Sequence, residues 1–143
     1  MRYKFQSERM HRTFEQVLHA LPVATQNVII DRLDLVTDTP GEALKAGVAT
    51  DALGCVKHRT LFVDAARLIN QPVGLLASVL AHEFAHVALG HHQQSSKALS
   101  VEAGEYDADR QAVAWGFASL VSFESLNARP IGGLPKTFGE VQF

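Results

Sequence analysis

Between Pro72 and Gly90 the chain runs VGLLASVLAHEFAHVAL, with Glu83 as its one acid and no lysine or arginine. Leucine, alanine and valine at this density predict a helix over residues 72–89, with Asn70 as its candidate N-cap, Pro72 in its first turn and Gly90 past its end. The surrounding uncharged stretch is interrupted by Asn70, Gln71, Pro72 and His82, too short and too polar to span a bilayer. A soluble helix at the centre of a folded domain is what remains.

The rest of the composition agrees with one compact domain: 143 residues, 47% apolar and 20% charged. Thirteen basic residues against fifteen acidic ones leave a formal charge of −2, so there is no basic footprint for nucleic acid. One cysteine, Cys55, excludes an internal disulfide or a cysteine-based zinc finger and fits a reducing compartment. The opening MRYKFQSERMHRTFEQ has no apolar run that would serve as a secretion signal, so the expected location is the cytoplasm, with no membrane partner.

Along the chain, Phe14, Val17, Leu18 and Leu21 recur at helical spacing and predict an N-terminal helix over 7–20, stopped by Pro22. Val28, Ile29 and Ile30 are β-branched and predict a strand, closed by Asp38, Pro40 and Gly41. GCVKHRTLFVD predicts a hairpin with Lys57, His58 and Arg59 on its turn, completing a sheet of about three strands within 27–65. A further helix is expected over 99–121, with Val101, Ala108, Ala112, Trp115 and Leu120 on its apolar side. Pro130, Pro135, Gly132, Gly133 and Gly139 make 127–143 an irregular tail behind a domain of residues 1–126. The fold expected is a small α+β domain.

Residues 82–86 read His82, Glu83, Phe84, Ala85, His86, the pattern H-E-x-x-H. Positions i and i+4 share a helix face about 6 Å apart, so two imidazoles can meet one zinc ion with nitrogen ligands at about 2.0–2.1 Å. Glu83, about 100° further round, is set to act as general base on a metal-bound water. Chance alone yields about 0.02 such pentapeptides in a chain of this composition. A catalytic zinc needs a third protein ligand, and VEAGEYDADRQA offers Glu102, Glu105, Asp107 and Asp109 on the next helix. Glu105 and Asp109 stand at i and i+4, so one can bind the metal while the other accepts the remaining N–H of a ligand histidine. Glu102 is the alternative ligand, although only Glu105 has an aspartate four residues on.

HEFAHVALGHH followed by EYDAD resembles the gluzincin group of zinc metallopeptidases. Within it, AHEFAHVALGHH, EYDADRQA, GCVKHRTLFVDAARL and LLASVL resemble the soluble peptidase domain of the HtpX-like family, and also the small ImmA/IrrE-type family. The likeness covers roughly residues 52–117. It implies a zincin-like domain with a short mixed sheet, an active-site helix and a glutamate-bearing helix. It further implies His82, His86 and Glu105 as ligands of one zinc ion, Glu83 as base and proton shuttle, and Asp109 as the partner of a ligand histidine.

The expected activity is therefore limited proteolysis of a peptide or protein substrate. The alternative is a zinc-binding regulatory module of the ImmA/IrrE type with weak or no proteolysis. His91, His92 and Tyr106 are candidate oxyanion donors. Helix-end contacts for the histidines and packing for the tyrosine are the simpler readings. TLFVD, read as a sheet edge bordering the cleft, would pair with an extended substrate through backbone hydrogen bonds.

Overall fold

A computed structural model describes residues 1–91 and 101–120, without the side chains of residues 101 and 102. The chain enters through a short strand, β1 (Arg2–Lys4), and then α1 (Glu8–Ala20), whose N-cap Ser7 accepts a hydrogen bond from the Met10 amide. Next come α2 (Val23–Arg32), β2 (Leu35–Thr37) and α3 (Pro40–Lys45). The hairpin β3 (Gly54–Lys57) and β4 (Thr60–Val63) leads through one helical turn, α4 (Ala65–Leu68), into α5 (Val73–Ala88). The last described helix is α6 (Val101–Ala114). Among the described residues this is an α+β domain with six helices and a four-stranded mixed sheet in the order β1-β2-β4-β3.

Strands β1, β2 and β4 run parallel, and β3 returns antiparallel to β4 with Gly54 opposite Val63 and Lys57 opposite Thr60. Alternation along β4 sends Leu61 and Val63 into the main core, while Phe62 packs with Ala43 and Val48 on the face covered by α3. Helices α1, α2 and α6 surround α5, which also lies against β3 and β4. This explains why α5 carries no polar face: its residues from Gly74 to Ala85 are all buried. Phe84 is fully buried and meets Phe14 edge to face with ring centroids 5.5 Å apart. That contact fixes the rotation of α5 about its axis, turning His82 and His86 towards α6. No described helix is long and apolar enough to cross a membrane.

Several expectations are corrected. Val28, Ile29 and Ile30 lie on α2, not on a strand, because Pro22 opens a helix there and only Ile29 is needed in the core. Val28 and Ile30 remain 37% and 42% exposed, so tertiary demand for one buried side chain overrides β-branched preference. The sheet therefore draws one of its two edge strands from residues 2–4 instead of lying wholly within 27–65. Pro40 and Gly41, expected to close a segment, begin α3. Pro72, not Asn70, occupies the N-cap position of α5. Helix α6 stops at Ala114, before 121, because Gly116 takes φ +102° and reverses the chain. The expectations for His92 and for the tail 127–143 concern residues outside the described ones.

Candidate metal centre

One turn of α5 separates His82 from His86, and their rings meet edge to face with centroids 4.8 Å apart. Their Nε2 atoms point to the same spot, 3.2 Å from each other. Packed alongside, α6 delivers Glu105, whose Oε2 lies 2.6 Å from His82 Nε2 and whose Oε1 lies 3.2 Å from His86 Nε2. One ligand atom from each of the three residues falls within 4.8 Å of the others, with His82 buried and the other two half-buried. A tetrahedral ion with bonds of about 2.0–2.1 Å spaces its ligand atoms about 3.3–3.4 Å apart. Two separations, at 3.2 Å, are close to that spacing, while the 2.6 Å between His82 Nε2 and Glu105 Oε2 is a hydrogen-bond distance that an ion would have to widen; the nitrogen and carboxylate donors are of the kind zinc takes.

Glu83 follows His82 on α5 but is not part of this ligand cluster. It is only 6% exposed, held where β3 crosses the helix. A Cβ on Gly54 would lie 2.9 Å from Glu83 Cγ and 3.1 Å from its Oε1, so the absence of a side chain at residue 54 makes the space this carboxylate occupies. Residue 55, the next along β3, faces the other way: Cys55 packs beside Ala43, Val48 and Phe62 on the α3 side.

Burial alone would raise the Glu105 carboxyl, but hydrogen bonds with His82 and His86 outweigh it and hold the group well below the usual carboxylate range. Glu105 is therefore an anion facing two imidazoles, the state a metal ligand needs. The Cys55 thiol is pushed up to about 11, first by burial and then by the negative charge of Glu83. His91 is held below the ordinary histidine value, first by burial and then by the neighbouring His86.

The structure thus brings His82, His86 and Glu105 together and sets Glu83 beside them. Asp109 is 6% exposed, and its carboxylate accepts from the Ser119 hydroxyl at 2.7 Å and from the Leu120 amide. These bonds go to the segment behind α6, and they staple the end of the helix that carries Glu105. Tyr106 is 53% exposed, with Arg110 5.6 Å from its ring centroid, which is not core packing. His91 lies beneath His86, its Nδ1 2.9 Å from His86 Nδ1.

Two contributors have no motif. Gly54 could have been found only by noticing a glycine at the start of a predicted strand, where it signals close approach of another group. Arg32 donates from Nη1 to the carbonyls of Val87 and Ala88 at 2.8 and 3.0 Å, satisfying the end of α5 from α2. No family model matches this chain, and no curated protein or solved structure does either.

Proposed function

We propose that the protein is a zinc-dependent metalloendopeptidase with a small zincin-like fold. The observation that carries this reading is the convergence of His82, His86 and Glu105 with a buried carboxylate, Glu83, next to the cluster but outside it. A site built only to hold a metal would normally close with a fourth protein ligand and has no use for an adjacent base. That contrast favours a hydrolase over a regulatory zinc module.

Zinc, when bound, lowers the pKa of a coordinated water from 15.7 to about 7 and polarises a scissile carbonyl. His82 and His86 would hold it through Nε2 and Glu105 through its carboxylate. Glu83 takes the proton of the attacking water on a carboxylate oxygen and returns it to the leaving nitrogen. Burial beside Gly54 keeps that carboxylate in one place. Asp109, through Ser119 and Leu120, holds α6 and hence Glu105 in register.

The expected cleft-bordering strand is reassigned. TLFV forms β4, which is interior and buried along its length, whereas β3 is the edge strand next to it and reaches Glu83 through Gly54. An extended substrate segment would add to β3 through backbone hydrogen bonds, with little demand on side-chain sequence. The substrate class is accordingly an unfolded or extended stretch of protein.

Glu83→Gln tests the reading. It should leave the fold and one equivalent of zinc in place while lowering cleavage of a peptide library by about 10²–10⁴-fold. Cleavage persisting at the parent rate in the variant would remove the peptidase assignment.

A further inference from the structure

We infer that His91 is a positioning residue for the metal centre: its Nδ1 accepts the Nδ1 proton of His86, so that His86 presents a bare Nε2 to the ion. The inference rests on the metal reading above and adds a residue to it.

A neutral imidazole carries one proton, and the nitrogen that is not bound to the metal must bear it. His86 Nε2 faces His82 Nε2 and Glu105 Oε1, both at 3.2 Å, so the proton of a metal-binding His86 belongs on Nδ1. The atom 2.9 Å from that Nδ1 is the Nδ1 of His91, which must then accept and keep its own proton on Nε2. The rings meet at 64° with centroids 5.1 Å apart, an edge contact suited to an N–H pointing at a lone pair and not a stacked one.

Backbone geometry explains how a residue five positions on reaches back under its own helix. Leu89 ends α5, its amide bonded to the Ala85 carbonyl, and Gly90 then takes φ +76° with its amide on the Val87 carbonyl. That left-handed turn, which residues with a Cβ adopt only under strain, swings His91 below His86. Histidine ligands are ordinarily oriented by a carboxylate, a carbonyl or water, and here a second imidazole does it from the same chain segment.

The test is competitive zinc titration of the purified full chain against a chromophoric chelator, with His91→Phe and His91→Asn beside the parent. Phenylalanine keeps a ring but has no acceptor, and zinc affinity should fall about 10- to 100-fold. Asparagine places a carbonyl oxygen near the lost Nδ1 and should recover most of that loss, a rescue that a packing role would not give. Long-range proton–nitrogen NMR of the zinc-loaded parent should find the His86 proton on Nδ1, a readout that stands even if a variant fails to fold. Unchanged zinc affinity in His91→Phe, or a His86 proton on Nε2, overturns the inference while the metal site survives. A parent that binds no zinc overturns the site itself.

Discussion

Gly54 and Glu83 compete for one small volume: a Cβ at residue 54 would sit 2.9 Å from Glu83 Cγ, closer than side chains approach. The edge strand β3 and helix α5 are in contact through a missing methyl group, and the Glu83 carboxylate is placed by that contact. In Gly54→Ala the carboxylate must move, because the three atoms nearest the added one all belong to Glu83. Zinc affinity should stay at the parent value while the cleavage rate falls about 10²-fold, the scale expected for a displacement near 1 Å. Parent-level cleavage by a correctly folded Gly54→Ala protein would show that the carboxylate is not aimed by β3.

Arg32 ties α2 to the end of the same helix. Its guanidinium donates to two carbonyls in the last turn of the helix, at 2.8 and 3.0 Å, of which Val87 also accepts from the Gly90 amide. Arg32→Gln should lower stability by about 1.5–3 kcal/mol, the range for hydrogen bonds to a charged group. Urea unfolding of the zinc-free protein measures it. A change within about 0.5 kcal/mol, typical of an uninvolved surface site, would contradict the account.

Cys55 offers a pH prediction with a definite sign. Its folded-state pKa is raised from the ordinary 9.0 to about 11, so the fold favours the protonated thiol. The associated stability is complete below the unfolded value and is lost as pH rises through the folded one, between 9.0 and about 11. Alkylation of the zinc-free protein should therefore be slow at neutral pH and reach half its maximal rate near pH 11. A midpoint near the ordinary thiol value of 9.0 would show that Cys55 is solvated and not packed against α3.

How far the sequence carries the structure depends on how local each signal is. Helix α5 and the spacing of His82, Glu83 and His86 are legible because helical periodicity is a property of neighbouring residues. The hairpin of β3 and β4 is legible for the same reason, including its basic turn, where His58 takes φ +58°. The sheet order is not, because placing β4 inside depends on residues 35–37 arriving beside it as β2, and residues 2–4 then pair with the far side of β2. The strand reading of Val28, Ile29 and Ile30 fails on a similar point: which side chain is wanted in the core is decided by α5, not by β-branching. Glu105 is readable through its aspartate four residues on, but the bonds of Asp109 to Ser119 and Leu120 are not, because the turn at Gly116 sets those partners. His91 carries a signal in the glycine before it, but only the left-handed turn gives that glycine its meaning.

The most direct measurement is metal content joined to X-ray absorption on the purified chain, with Glu105→Gln and Glu102→Gln beside the parent. The account predicts one zinc per parent chain, bound by two imidazole nitrogens and a carboxylate oxygen at about 2.0–2.2 Å. It predicts that the ion is lost in Glu105→Gln and retained in Glu102→Gln. Absence of stoichiometric zinc from the parent, a sulfur atom among its ligands, or retention in Glu105→Gln with loss in Glu102→Gln would contradict it.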